Sequence, residues 1–207
     1  LQIGRTHNKF YGINAMINQS GYPQVHIYGQ NGIGGTFGQT ANHRMSRRGK
    51  YILEPDRWYH LTYVIADLTA SNWTVYVNGD DTDAGGGATS GNANTVLTYN
   101  GDSYMGKLGK TNAGAEKYFG GIINQVGVWN KALDTNAVKG LYNDGLPLNL
   151  LSQSLFYGPG EVAALIGYWP MNEAEGTTIR DYSTNSNNGT LTNFAEEGEW
   201  STKTPWS

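Results

Sequence analysis

WYHLTYVIADLTASNWTVYVNG, residues Trp58 to Gly79, reads as two strands joined through a short turn. Trp58, His60, Thr62, Val64 and Ala66 alternate with Tyr59, Leu61, Tyr63 and Ile65. Both alternating sets carry bulk, as in a strand packed within a sandwich. WTVYVN, Trp73 to Asn78, is the second strand. Asn78-Gly79 closes it with the strongest short-range hairpin signal, because a tight hairpin turn needs residues that tolerate positive φ.

Working outward, the alternation recurs. YGINAMI, Tyr11 to Ile17, places Ile13, Ala15 and Ile17 on one face. QVHIYG, Gln24 to Gly29, puts Val25 and Ile27 on one side and His26 and Tyr28 on the other. Loops fall at Gly29 to Gly38, Asp80 to Asn94 and Asn100 to Ala115. The second is poor in apolar residues and rich in glycine, which marks a surface or ligand-binding loop. One short helix is expected: Asp134 is a good N-cap, and Ala137, Val138, Leu141 and Tyr142 have helical spacing. Gly145 and Pro147 follow as stop signals.

Composition agrees with a mostly-β chain. There are 207 residues, 29 of them glycine, with 12% aromatic residues. That length suits one domain. The absence of cysteine excludes disulfides, thiolate metal sites and a cysteine nucleophile. A net charge of −3 is no footprint for nucleic acid. The basic run His43-Arg44-Met45-Ser46-Arg47-Arg48 reads as a solvated loop. No apolar stretch is long enough to span a bilayer, and no secretory signal is visible. The chain does not begin with Met, as expected of a processed product or a piece of something longer. Long loops and unequal strands favour a two-sheet sandwich over a barrel.

DRWYHLTYVIADLTASNWTVYVNGD resembles the central hairpin of laminin-G-like domains of the concanavalin A-like superfamily, through Trp58, His60, Tyr76, Val77, Asn78 and Gly79. GGIINQVGVWNKALDTNAVKGLY resembles that family's late strand and helix, through Gly121, Val126, Trp129, Asn130, Ala132, Leu133, Leu141 and Tyr142. GYWPMNEAEGTTIRDYSTNSNNGTL, Gly167 to Leu191, resembles its usual first segment. Tyr168, Trp169, Glu173, Gly176, Asp181, Ser183, Asn188 and Gly189 carry that likeness. The first segment here comes last. The C-terminal arrangement is also similar to laminin-G-like modules in structural proteins of tailed bacteriophages.

The resemblance implies an all-β, two-sheet antiparallel jelly-roll sandwich with one short helix. The order implies one circularly permuted domain over 1–207, with 165–207 supplying the usual first strands. Sandwich termini lie close together at the surface, so a permuted chain can build the same fold. A second, truncated repeat is the rival, but residues 167–207 are too few to bury a core alone. A strand that completes a neighbouring subunit is another. The family's early edge strand is not visible ahead of the first match, which points to a missing N-terminal portion or a partner that supplies it.

The superfamily includes glycoside hydrolases, which use paired carboxylates. Glu173 and Glu175 are the close acidic pair near a strand, and MNEAEGTT reads as an exposed, capped turn. His60 reads as packed or hydrogen-bonded. No catalytic residues are expected, and the chain is not expected to be an enzyme.

Calcium is the candidate cofactor, since hard cations want several oxygens. Asp80, Asp81 and Asp83 are the candidate metal ligands, and Asp181, Asn185 and Asn188 form a second oxygen-rich loop. The family's frequently acidic pair is Asn124-Gln125 here, which removes charge. Asx turns explain the same residues, and both readings stay open.

Glycan binding needs an aromatic platform with amides and carboxylates at a loop rim. Tyr99, Asn100, Asp102, Tyr104, Asn112 and Tyr118 are the candidate ligand-binding residues, with Tyr22 a further loop aromatic. For any single Tyr, a lid over the core is the favoured reading. Trp58, Trp73, Trp129 and Trp169 fall in strand patterns and are assigned to the core.

The expectation is a non-catalytic surface-recognition module that binds a glycan or a surface protein, extracellular or on a virion surface. The alternative is a structural or assembly module of a virion or filament, with the C-terminal strand locking subunits, and a glycoside hydrolase is the third and least favoured reading. Homo-oligomers or virion subunits are then the partners.

Overall fold

The computed structural model describes residues 2–3, 12–28, 44–67, 72–82, 105, 107–108, 117–192 and 200–203. The chain divides into two compact units, Leu1–Gly120 and Gly121–Ser207. All strand pairs among the described residues are antiparallel.

In the first unit, β1 (Gln2–Ile3), β2 (Gly12–Ile17), β3 (Pro23–Tyr28) and β4 (Arg44–Arg48) form a sheet in that order. A second sheet holds β5 (Leu61–Ile65), β6 (Trp73–Val77) and β7 (Asp80–Asp81). The apolar faces of the two sheets meet. Val25 and Ile27 pack with Trp73 and Val75, and Ile13, Tyr63 and Ile65 close round them. Burying side chains of this size contributes about 1.5–3 kcal/mol each. The hydroxyl of Tyr63 crosses to donate to the carbonyl of Met16 at 3.1 Å. β8 (Lys107–Leu108) pairs with β9 (Lys117–Tyr118).

The hairpin read from Trp58–Gly79 forms, with shorter strands than the alternation suggests. Asn78 and Gly79 both have positive φ, 52° and 78°, as the tight turn into β7 requires. The Asn78 side chain does a second job. Its Oδ1 accepts from the His60 backbone N–H at 2.9 Å, while the Asn78 backbone N–H donates to the His60 carbonyl at 2.8 Å. This exchange ties the start of β5 to the end of β6.

Two expectations change. The basic run at 44–48 is strand β4, paired along its length with β3. Its charge suggested a loop, but the alternating residues Met45 and Arg47 register with Ile27 and Val25, and Ser46 is buried. Trp58 lies outside β5 and is half-buried, as are Trp129 and Trp169, whereas Trp73 is fully enclosed.

The second unit is built on β10 (Val126–Trp129) paired with β11 (Leu165–Trp169). Helix α1 spans Thr135–Tyr142, and Asp134 caps it by accepting from the Ala137 N–H at 2.8 Å. Asn143, Asp144 and Gly145, all with positive φ, end it. A second short helix, α2 (Pro159–Ala163), was not expected. Pro159 opens it, and Glu161 reaches back to the Gly158 N–H at 3.0 Å. The carboxylate of Glu161 also pairs with Lys131. β12 (Thr178–Ile179) and β13 (Gly189–Thr190) form a small hairpin.

Both paired strands repeat Gly-x-Trp, as Gly127-Val128-Trp129 and Gly167-Tyr168-Trp169. In each, the indole folds back over the glycine two residues earlier. A Cβ on either glycine would collide with that ring. The indole of Trp129 meets Tyr157 edge-on, with ring centroids 6.3 Å apart. Its Nε1 donates to the Tyr157 hydroxyl at 3.1 Å, and that hydroxyl donates to the Leu150 carbonyl at 3.0 Å.

Candidate functional site

The face of the four-stranded sheet turned away from the apolar core is polar. Register sets Asn14 opposite His26, and His26 opposite Ser46. Successive strand residues point to opposite faces, so these three side chains form one row across three strands. All are buried, at 4%, 7% and 7% exposure. Oδ1 of Asn14 has no hydrogen-bond partner among the described residues.

One step along the same face, Gln24 registers with Arg48. Gln24 is held by the Asn18 side-chain amide at 3.2 Å. The Arg48 guanidinium lies 4.6 Å from the centre of the Tyr22 ring. The loop that carries Tyr22 is organised by Asn18, whose Oδ1 accepts from the N–H groups of Ser20 and Tyr22. Gly21 in that loop has φ +81°, and a Cβ there would press on Ile52 at 2.8 Å. The face therefore combines a buried floor with an aromatic and a guanidinium at its rim.

Ser46, His26 and Asn14 have the residue types of a nucleophile, a base and an orienting amide. Their burial keeps attack on a bulky substrate from being the simple reading. Elsewhere, Glu173 spends one carboxylate oxygen on the Arg180 N–H at 2.8 Å, and Glu175 is exposed in the same turn.

The second oxygen-rich loop is occupied with its own backbone. Asp181 is buried, and its carboxylate accepts from the N–H groups of Tyr168, Ser183 and Asn187, each at 2.8 Å, and from the Ser183 hydroxyl at 3.0 Å. Burial raises its pKa, but these donors together hold it below the ordinary value. Asn188 accepts from the Asp181 N–H, and Asn185 donates to the Ile166 carbonyl. These oxygens serve as turn and edge partners, as Asx residues do.

Asp80 and Asp81 are exposed neighbours on β7. Alternation turns them to opposite faces, so one ion draws on only one of them. Asp83 lies outside the described residues. Among the described residues no group of three or more His, Cys, Asp or Glu could hold a metal ion. Tyr99, Asn100, Asp102, Tyr104 and Asn112 also lie outside the described residues, and Tyr118 is placed in β9.

The row Asn14–His26–Ser46 and the rim at Arg48 were missed as a site. Asn14 and His26 occupy the second face of strands read correctly, and that alternation was the available signal. Ser46 and Arg48 belong to a segment whose basic charge reads as a loop, which hides them.

A family model of the concanavalin A-like lectin/glucanases superfamily, of the laminin G type, matches residues 5–139. The chain belongs to this superfamily. The laminin-G-like likeness and the antiparallel all-β class follow. Domains of this type bind glycans or proteins, are typically non-catalytic, and are commonly extracellular, although the superfamily includes glycosidases. No curated protein and no solved structure matches the laminin-G-like chain. Among its described residues, no helix is long and apolar enough to cross a membrane.

Proposed function

We propose that this laminin-G-like chain is a non-catalytic recognition module that binds a glycan or a surface protein, on an extracellular or virion surface. The observation that carries the reading is the polar face of the first sheet. One face of that sheet is closed by the apolar core, while the rim of the other carries the half-buried Gln24 amide, the half-buried Tyr22 phenol and the exposed Arg48 guanidinium beside a buried polar row. Such a mixture fixes orientation in carbohydrate and protein sites. Glycan-array binding by the intact chain tests it. Specific binding lost on Tyr22→Ala and Arg48→Gln supports the face. Binding untouched by these but lost on Tyr99→Ala and Tyr104→Ala moves the site to Tyr99, Asn100, Asp102, Tyr104 and Asn112, with Tyr118 of β9. No array binding and no surface-protein partner removes the reading.

Permutation over 1–207 is part of the proposal. Its support is the pairing of β11, which carries the first-segment likeness, with β10, which carries the late-strand likeness.

Subunit locking through β11 has less support, because its second edge is sealed. Tyr168 donates its N–H to Asp181 and accepts from the Tyr182 N–H, and Asn185 covers the Ile166 carbonyl. A strand from another subunit would find those groups taken.

Calcium, drawing on Asp80 or Asp81 with Asp83, stays a proposal. A ligand that binds only the folded state raises its stability. Adding EDTA should then lower the thermal midpoint, and calcium should restore it. An unchanged midpoint leaves these residues as turn formers.

A further inference from the structure

We propose that one end of the first sheet docks on an anionic lipid surface, with Tyr51 and Ile52 entering the headgroup layer and Arg48 and Lys50 meeting lipid phosphates. This goes beyond the recognition reading above. It stands mainly on Lys50, Tyr51 and Ile52, which that reading does not use.

β2 ends, β3 begins and β4 ends at this end of the sheet, where Ile17 registers with Pro23 and Gln24 with Arg48. Backbone bonds hold the two adjoining stretches side by side. The Asn18 N–H donates to the Tyr22 carbonyl at 2.9 Å, the Gly49 N–H to the Pro23 carbonyl at 2.8 Å, and the Leu53 N–H to the Gly21 carbonyl at 2.9 Å. The Ile52 side chain rests on Gly21, where a Cβ would come within 2.8 Å of it. This bonded backbone presents Tyr51 and Ile52, each 57% exposed, and Ile17 is exposed at the mouth of the same turn. Two adjacent large apolar residues held in water forgo the gain of burial, which a partner can supply.

The same end carries two exposed cations. The Arg48 guanidinium lies 4.6 Å from the centre of the Tyr22 ring, and the Lys50 ammonium lies 5.5 Å from that of Tyr51. Neither makes an ion pair among the described residues. The nearby Glu54 is taken by Arg57 at 3.0 Å. Lys50 reaches β7 through its backbone, whose N–H donates to the Thr82 carbonyl at 2.6 Å, and its ammonium pairs with neither Asp80 nor Asp81.

Charge and polarity together choose the occupant. The chain carries a net charge of −3, so a basic end turns the molecule toward an anionic surface against its average charge. A sugar stacks on a tyrosine ring but leaves the wholly apolar Ile52 beside it unmatched. A bilayer interface offers the three environments in layers: phosphates for the guanidinium and the ammonium, the headgroup level for the phenol, and acyl carbons for the isoleucine. Each cation close to anionic lipid is worth about fivefold in affinity. Two cations and one apolar pair give reversible attachment.

Co-sedimentation of the full chain tests this, with vesicles of phosphatidylcholine alone and of equal parts phosphatidylcholine and phosphatidylserine. The mixed vesicles should bind at least about tenfold more tightly, and added salt should weaken them. Lys50→Gln should lose about fivefold. The double variant Tyr51→Ser, Ile52→Ser should lose at least about tenfold while keeping the thermal midpoint and any glycan-array binding of the wild type. Ile52→Trp, bound to vesicles whose acyl chains carry bromine, should be quenched more than wild type. Equal binding to both vesicles, full binding by the double variant, or no added quenching in Ile52→Trp overturns the inference. If the double variant loses stability, Lys50→Gln and the quenching of Ile52→Trp decide. Release by soluble glycerophosphoserine or inorganic phosphate, at the phosphate concentration of the vesicles, assigns this end to free phosphate and overturns the lipid surface. Dextran sulfate bound more tightly than the vesicles, and equally by the double variant, makes it a polyanion site and also overturns it. If neither vesicle binds, the inference falls, and the glycan array decides the recognition reading separately.

Discussion

Asp181 is the residue on which the second unit turns. One buried carboxylate gathers three backbone N–H groups and a hydroxyl, and so fixes Tyr168 and the loop from Ser183 to Asn187 together. Asp181→Ala should cost at least about 2 kcal/mol, because several donors lose their acceptor. A thermal or denaturant midpoint equal to wild type would deny it this role. Its depressed pKa means its contribution is present above the unfolded carboxylate range and is lost as pH falls through the folded value. His60 acts in a higher window. Burial lowers its pKa from 6.5 to about 4. The unfolded chain therefore binds a proton below about pH 6.5 that the folded chain refuses until about pH 4. Stability is full above that window and should fall by about 3 kcal/mol across it. His60→Gln should flatten this slope between pH 6.5 and 4, and an unchanged slope would assign the effect to other groups.

At the scale of elements, the sequence was most legible where a local rule chooses the backbone. Asn78-Gly79 forces a tight turn, and Asp134 starts a helix, whatever surrounds them. Asp134→Ala should cost about 1 kcal/mol through the lost cap, read as a lower denaturant midpoint. Elements chosen by distant partners were less legible. β4 is a strand because β3 lies beside it, and its arginines gave a contrary local signal. α2 is only five residues long and depends on Pro159 and the reach of Glu161, too little for periodicity to detect. The candidate site has the same difficulty. Asn14, His26 and Ser46 become neighbours only through the registers of two strand pairs. The Gly-x-Trp repeats are a middle case, visible in the sequence but explained only once each indole is seen over its glycine. Gly167→Ala should destabilise by about 1–3 kcal/mol, because a methyl there displaces the Trp169 ring. Trp169 fluorescence should shift with it. An unperturbed variant would mean that the ring yields without strain.

For the whole molecule, the question is why a segment with the likeness of a beginning comes last. β11 pairs with β10 from Val126↔Trp169 to Trp129↔Leu165, with a one-residue register shift between Val128 and Trp129. The late-strand and first-segment likenesses therefore become one ladder, as a permuted chain requires. Tyr168 is buried in the second unit, and Leu165 with it. A chain ended after Gly160 removes both, along with the Asp181 loop that seals the far edge of β11. Its β10 would then present unpaired backbone groups and the apolar side chains of Val126, Val128 and Trp129. Such an edge is a template for association. The 1–160 chain should unfold at lower denaturant, with a broader transition, and should aggregate at concentrations where the full chain does not. Sedimentation and urea unfolding measure both. If 1–160 is as soluble and as cooperative as 1–207, the C-terminal segment is an appendage and the permutation proposal fails. If the full chain is a stable oligomer that truncation turns into folded monomers, residues 165–207 join subunits, and the sealed edge of β11 opens in the assembly.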